Sequence, residues 1–273
     1  MDISIIICSY NTCTLIRDCL NSIFENTLEV DFEVSVVDNN SSDNTVAMIR
    51  EEFPQVKLIA NTENKGFAKA NNQAAKLSMA DYVMFLNPDT KLRNNAVKIL
   101  VDFVRSSDAP IAGALLFGED GKKTHSFGHL HTIKSLICTQ TPLKYLFKKE
   151  RIFYNSYEQK FSHEPFEVEY ITGADLVIKR NVLQELGYFS EKFFMYFEDT
   201  HLGFMARKCG YKAFLVPQAE IYHFEGKSKL PKKQLKALES KFLYYKLCYG
   251  ILGYLPVLLM MPKYLKFWFK AKN

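Results

Sequence analysis

Tyr82-Val83-Met84-Phe85-Leu86-Asn87-Pro88-Asp89-Thr90 sets five apolar residues directly before a polar break. The apolar five read as a strand buried on both faces, as in a parallel sheet. Pro88 has no N–H for a sheet ladder, so the strand ends there. Asp89 is thereby delivered to a strand's C-terminal end, where open α/β sheets bind ligands. A carboxylate at that point suits a metal ion or a phosphate-bound cation. Standing alone, the same residues make an ordinary Asn-Pro-Asp turn.

The surrounding sequence repeats the pattern. Residues 3–8 are a second run, apolar except for Ser4, closed by Ser9-Tyr10-Asn11. Leu15, Ile16, Cys19, Leu20, Ile23 and Phe24 then recur at helical spacing, with Thr14 or Thr12 as N-cap. A strand is predicted over 33–37, a helix over 44–53, a strand over 56–60 and a helix over 67–78. After the opening strand come a helix over about 95–104 and a strand over 111–116. This β-α-β-α rhythm predicts an α/β fold with a doubly wound, mostly parallel sheet. Right-handed crossovers would bring the strand-end loops to one edge.

Residues 118–169 interrupt the rhythm with polar, aromatic and locally basic sequence (Lys148-Lys149-Glu150-Arg151), an inserted irregular segment. A strand over 171–178, helices over 181–186 and 198–209, and closing strands over 212–216 and 219–223 follow. The start, Met1-Asp2-Ile3, has neither the basic residues nor the long apolar core of a signal peptide and reads as strand. Six cysteines without a CxxC read as free thiols in a reducing compartment.

The net charge of +5 conceals an asymmetry: residues 227–273 hold eleven Lys and a single acid, Glu239. A basic helix is predicted over 232–246. Residues 248–261 are nearly all apolar, too short for the roughly 20 residues of a bilayer span. With Lys263, Lys266, Trp268 and Lys270 following, this tail reads as an interfacial anchor on an anionic membrane surface, or a hairpin in one leaflet. The alternative is a C-terminal helix packed on the core. Nucleic acid is not expected as a partner.

Carboxylates fall at strand ends or a helix start: Asp38, Asp43, Asp89 and the pair Glu198-Asp199. His223 closes a strand. GxxxxGK[ST] and GxGxxG are both absent, so a glycine loop does not cradle phosphate. Strand-end carboxylates with a divalent metal could hold a nucleotide instead.

Seven segments now fall into one recognisable order: Ile5-Ile6-Ile7-Cys8-Ser9-Tyr10-Asn11, Val36-Val37-Asp38-Asn39-Asn40-Ser41-Ser42-Asp43, Asn64-Lys65-Gly66-Phe67-Ala68, Phe85-Leu86-Asn87-Pro88-Asp89-Thr90, Thr172-Gly173-Ala174, Phe194-Met195-Tyr196-Phe197-Glu198-Asp199 and His223-Phe224-Glu225-Gly226-Lys227-Ser228. Over about residues 2–230 the chain resembles family-two glycosyltransferases of GT-A fold, most of all the bacterial rhamnosyltransferase-like branch. The resemblance implies a GT-A domain over 1–230, with a nucleotide-binding half (1–117), an acceptor-binding half (118–230) and a membrane-associating helical tail (231–273).

It also implies roles. Asp38 would pair with a pyrimidine base, or else cap the next helix unless Asp43 does so. Ser9, Tyr10, Asn11 and Asn40 would flank the nucleotide. Gly66 would let backbone approach it, while Lys65 would meet phosphate or stay solvated. Asn71 would lie near the donor or be a plain helix residue. Asn87, Pro88 and Asp89 occupy the DxD position, Asn87 replacing the first Asp. Asp89 would hold Mn²⁺ or Mg²⁺ with the donor's phosphates, joined by His223 unless that is a satisfied strand-end residue. Glu198 and Asp199 would be catalytic, or merely suit a helix N-terminus. Asp199 as general base would give a single displacement with inversion. His201 replaces the last Asp of the relatives' Glu-Asp-x-Asp. Gly173, Ala174 and Asp175 would line the acceptor pocket or form a tight strand start. His125, His129 and His131 read as solvated or acceptor-facing rather than as a zinc site. Residues 145–157 would meet acceptor or membrane, or form a surface flap.

The implied reaction moves a sugar from a nucleotide-diphospho-sugar, dTDP-rhamnose ahead of a UDP-sugar, to a polyprenyl- or lipid-linked saccharide at the cytoplasmic membrane face, in surface polysaccharide assembly. QxxRW of the processive synthases is absent, which favours adding one or a few residues. The rival is a non-catalytic nucleotide-sugar or glycan-binding protein on the same fold, supported by Asn87 and His201. A nucleotidyltransferase would need a Gly- and Arg-rich first loop, which Ser9-Tyr10-Asn11 is not.

Overall fold

The structure is a computed structural model and describes residues 1–140, 145–146, 149, 162–224 and 233–272. Its first unit is β1 (Ile3–Ser9), α1 (Cys13–Asn26) and β2 (Phe32–Asp38), followed by α2 (Thr45–Glu52), β3 (Lys57–Ala60), α3 (Phe67–Leu77) and β4 (Tyr82–Leu86). β1 to β4 are parallel, in the order β3-β2-β1-β4. The chain therefore winds one way from β1 through β3, then returns to the other side of β1. That reversal opens a crevice between the carboxyl ends of β1 and β4. Thr12 occupies the N-cap of α1, but its hydroxyl makes no cap bond. The Asp43 carboxylate accepts instead from Cys13 N–H (3.1 Å) and from Thr45 N–H (3.1 Å), serving the starts of α1 and α2 together.

The strands are apolar at both parities, with only the small Ser4 and Ser35 interrupting the buried stretches of β1 and β2, because the sheet is covered on both faces. Ile3, Ile5 and Ile7 pack with Ile16, Leu20, Ile49 and Leu100 on one side; Ile6, Val37 and Phe85 pack with Ala70, Ala74 and Leu202 on the other. Full burial of one such side chain contributes about 1.5–3 kcal/mol, so a polar residue at either parity would be costly.

The remaining elements are β5 (Thr90–Leu92), α4 (Ala96–Ser106), β6 (Ile111–Phe117), β7 (Phe127–Gly128), α5 (Ile133–Gln140), β8 (Phe166–Val168), β9 (Tyr170–Ile171), β10 (Asp175–Lys179), α6 (Arg180–Glu185), α7 (Glu198–Lys208), β11 (Ala213–His223), α8 (Lys233–Tyr249) and α9 (Tyr254–Lys272), the last two joined by a 3₁₀ turn (Gly250–Gly253). Among the described residues the main sheet continues β4-β10-β6-β11-β5, with β8 beside β11. Strands β10, β5 and β8 run against the others, so the sheet is mostly parallel.

Two sequence expectations change. Residues 171–178 are not one strand: Thr172, Gly173 and Ala174 form a turn, and β10 reverses direction against β4. Asp175 forces the turn by accepting from Ala114 N–H (2.7 Å) and Ser126 Oγ–H (2.6 Å). The two closing strands are one, β11, whose register slips between Val216 and Glu220. Pro217 has no N–H to give at that slip, and the Asn94 amide bridges it, donating to Gln218 O (2.8 Å) and accepting from Glu220 N–H (3.1 Å). The insert, unplaced from sequence, supplies α5 and the short strands β7 and β8. Lys148, Glu150 and residues 151–157 lie outside the described residues, as do Glu225, Gly226, Lys227, Ser228 and Lys232.

All six cysteines are free thiols. Among the described residues no helix is long and apolar enough to cross a membrane. α8 packs on the body through Tyr244 and Tyr245, which join Leu136 and Phe193 in a third apolar cluster.

Candidate active site

The crevice at the β1/β4 reversal is a cavity of about 350 Å³. Cys8, Tyr10, Asn11 and Thr12 line it from the end of β1, Asn39 from β2, Asn64, Gly66 and Phe67 from the start of α3, and Asn87, Pro88 and Asp89 from the end of β4. Phe194 and Met195 close it. Gly66 is required where it stands. Its φ is +83°, and a Cβ there would lie 2.3 Å from Phe194 O. The same carbonyl accepts from Phe67 N–H (2.7 Å), tying the loop before α3 to the segment before α7. Asn11, also left-handed (φ 54°), accepts from Ser42 N–H (2.7 Å) and so joins the β1 and β2 loops.

β5 begins immediately after Asp89 and pairs Thr90 with His223 of β11. This short strand, missed in the sequence, sets His223 beside Asp89. His223 Nε2 stands 3.3 Å from Asp89 Oδ1 and 3.2 Å from Asn87 Nδ2, with the Asp89 and His223 side chains nearly enclosed. A carboxylate oxygen and an imidazole nitrogen at that separation suit two neighbouring ligands of one divalent cation. Among the described residues no group of three or more His, Cys, Asp or Glu side chains gathers for a metal. Asp89 and His223 would therefore need further oxygen ligands from a substrate or water.

A second cavity, about 370 Å³, adjoins the first, and Phe67, Asn87 and Met195 border both. Its wall holds Gly173 and Ala174, the carboxylates Glu198 and Asp199, His223, and the rings of Tyr170, Tyr196, Phe197, His125 and His131. Asp199 is held on both oxygens: Oδ2 accepts from Gly173 N–H (3.0 Å), Oδ1 from Thr200 N–H (2.6 Å) and Thr200 Oγ–H (3.2 Å). Burial raises its pKa, and these hydrogen bonds hold the rise in check. Glu198 is buried deeper, and its Oε2 has no hydrogen-bond partner. Burial first, and the Asp199 charge second, push it well above the ordinary carboxylate range. Tyr196 and Phe197, both at φ 70°, immediately precede this pair.

Several residues expected at the site border neither cavity. Ser9 Oγ is spent on Thr12 Oγ (2.8 Å). Both Asp38 oxygens accept from Ser41, at its N–H (2.9 Å) and Oγ–H (2.5 Å). Asn40 is exposed in a left-handed turn. Asn71 turns back on its own helix, donating to Phe67 O (3.0 Å). The Lys65 side chain is half-buried outside the lining. Asp175 is fully enclosed, pushed up to about 7 by burial, and serves the turn rather than the cavity wall. His129 faces Glu169 (3.5 Å), and half-buried His201 packs on Phe193.

Asn39 was missed. It donates to Gly66 O (3.2 Å) and accepts from Asn61 Nδ2–H (3.0 Å). The signal was parity: Asn39 follows Val37, and Asn87 follows Phe85, on the sheet face that carries the cavities. Thr200 was missed too, and nothing in its sequence position marks it.

Among curated proteins the chain is similar to the N-acetylglucosaminyl-diphospho-decaprenol L-rhamnosyltransferase of Mycobacterium tuberculosis, 27% identical over 219 residues, which are 71% of this chain and 67% of the relative. It is similar also to the dTDP-rhamnosyl transferase RfbF of Shigella flexneri, 24% identical over 210 residues, 76% of this chain and 64% of the relative. The mannosyltransferase PcManGT of Pyrobaculum calidifontis, solved with GDP-Man and Mn²⁺, has the same fold: TM-score 0.61 at 18% identity, over 90% of this chain and 63% of that one. The chain thus spans about two thirds of the length of these proteins. The expected GT-A architecture holds. Residues 4–187 match the model of glycosyl transferase family 2, and the chain belongs to that family.

Proposed function

We propose that this chain is an inverting, metal-dependent sugar transferase, moving rhamnose from dTDP-rhamnose to a lipid-linked saccharide in cell-surface polysaccharide assembly. The observation that carries the reading is the position of Asp199: fixed by Gly173 and Thr200 in a cavity that meets the strand-end cavity at Asn87 and Phe67. A nucleotide-diphospho-sugar would lie in the first cavity, along Tyr10, Asn11, Asn39 and Gly66, with its sugar toward Asn87 and Met195. An acceptor would lie in the second, against Gly173, Ala174 and the aromatic wall. Asp89 and His223 would hold Mn²⁺ or Mg²⁺, which neutralises the diphosphate leaving group when bound.

Asp199 accepts the proton of the acceptor hydroxyl. That oxygen bonds to the anomeric carbon while the bond to the donor's phosphate oxygen breaks, and the electron pair departs with the nucleoside diphosphate. One base facing one leaving group gives one displacement, hence inversion. The donor and the lipid-linked acceptor are supported by the two rhamnosyltransferase relatives. A peripheral place on the cytoplasmic membrane face is supported by the exposed Ile251, Leu252 and Leu258 beside a lysine-rich tail. On this reading 1–230 is the transferase domain and 231–273 its membrane-associating part.

The test is dTDP release from dTDP-rhamnose with Mn²⁺ and an N-acetylglucosaminyl-diphospho-polyprenol acceptor. A general base is worth about 10²–10⁴-fold, and Asp199→Asn is expected to lose that much. Asp89→Ala is expected to raise the Mn²⁺ requirement and lower the rate. Unchanged turnover in both variants would refute the proposal.

A further inference from the structure

The segment from Phe194 to Phe197 is held from two sides. On one, Phe67 N–H and the bare backbone of Gly66 meet the Phe194 carbonyl. On the other lies α8, beyond residues 2–230 that carry the sequence motifs. Ser240 Oγ–H donates to Met195 O (2.7 Å). The fully buried Tyr244 ring lies 5.5 Å from the Phe197 ring, which also packs on His131 at 5.0 Å. Lys236 Nζ sits 4.3 Å above the Phe194 ring, and Ala237 borders the second cavity.

What lies between these supports is strained. Tyr196 and Phe197 are consecutive non-glycine residues in the left-handed region. Such residues persist only where their surroundings over-determine them. Simple burial of an aromatic segment would not need two of them in a row. Here they turn the chain so that α7 begins with both its first carboxylates toward the second cavity.

We propose that α8 is a clamp on this segment, and that Ser240 and Tyr244 are positioning residues for Asp199. The proposal rests on the reading of Asp199 as the base. Ser240 fixes the carbonyl of Met195, one of the three residues that border both cavities, and Tyr244 fixes the ring of Phe197, the residue before Glu198. The first helix of the tail, α8, is therefore part of the active site as well.

The test uses the full chain with Ser240→Ala, Tyr244→Ala and Tyr244→Phe. Amide hydrogen exchange is followed by mass spectrometry over residues 193–201 and over β1 and β4. Turnover of dTDP-rhamnose with Mn²⁺ is measured in parallel. Ser240→Ala and Tyr244→Ala are expected to speed exchange over 193–201 by about tenfold or more, leaving β1 and β4 unchanged. They are expected to lower kcat by about tenfold or more with the donor KM nearly constant. Tyr244→Phe, which keeps the ring, is expected to match the wild type. Unchanged exchange over 193–201, or exchange raised equally in β1 and β4, would overturn the clamp. Fast local exchange with wild-type kcat would overturn the positioning role of Ser240 and Tyr244, whereas wild-type turnover of Asp199→Asn would overturn the reading of Asp199 on which that role rests.

Discussion

Asp175 and Asp199 differ by where their hydrogen bonds come from and what they leave facing solvent. Asp175 is sealed by Ala114 and Ser126, with a carboxyl pushed up to about 7 by burial. Below about pH 4 it is protonated in folded and unfolded chains alike. As pH rises to about 7 the unfolded chain releases that proton and the folded chain keeps it, so stability falls across the window and stays low above it. Asp175→Asn keeps an acceptor for Ala114 and Ser126. It should remove this loss, up to about 4 kcal/mol, visible as a higher urea midpoint at pH 8 relative to pH 5 than in the wild type. Glu198, also raised by burial, leaves part of the pH dependence in place. At Gly66, alanine would meet the Phe194 carbonyl in a left-handed backbone. Gly66→Ala should cost about 1–3 kcal/mol and weaken dTDP affinity in calorimetry; an unchanged affinity would show that the loop yields. The places of Asp89 at a strand end and Asp199 at a helix start were legible in the sequence; of the two readings of Asp175, pocket wall or tight strand start, the structure has the second. Nothing in Gly173-Ala174-Asp175 tells that the carboxylate turns inward toward β6, 61 residues away in the chain.

At the scale of elements, strands buried on both faces were readable because they are apolar at both parities, with only Ser4 and Ser35 interrupting the buried stretches of β1 and β2, and helices because α1 and α4 carry clear apolar stripes. β5 was not readable. Three residues, Thr90-Lys91-Leu92, become a strand only because β11 lies beside them. The same holds for β7 and β9, two residues each. The bend in β11 was read as two strands because Pro217 and Gln218 look like a turn, and only the Asn94 amide makes them a bulge. α9 and the 3₁₀ turn leave Ile251, Leu252, Leu255 and Leu258 exposed. Leu252→Glu with Leu258→Glu should release the protein from phosphatidylglycerol vesicles in sedimentation. Added salt should weaken wild-type binding, since each lysine near an anionic surface contributes about 1 kcal/mol. Retention of the double variant on vesicles would remove this surface from the account.

For the whole molecule, the winding of β1 to β4 decides where the chemistry lies. The reversal between β1 and β4 makes the first cavity, and the return of β10 and β11 brings Gly173 and His223 to the same edge. Residues distant in sequence thus share one site, which is why ordered motifs revealed it better than any single motif did. A ligand that binds only the folded chain stabilises it by about 2.7 kcal/mol at a hundredfold excess over Kd. dTDP with Mn²⁺ should therefore raise Tm, and Asp89→Ala should abolish the increment due to Mn²⁺; an increment retained in the variant would exclude Asp89 as a ligand. The central claim is transfer by a single displacement with Asp199 as the base. Proton NMR of the glycoside formed from dTDP-rhamnose tests it most directly. A single displacement gives an anomeric configuration opposite to that of the donor; a product that retains the donor's configuration would exclude it.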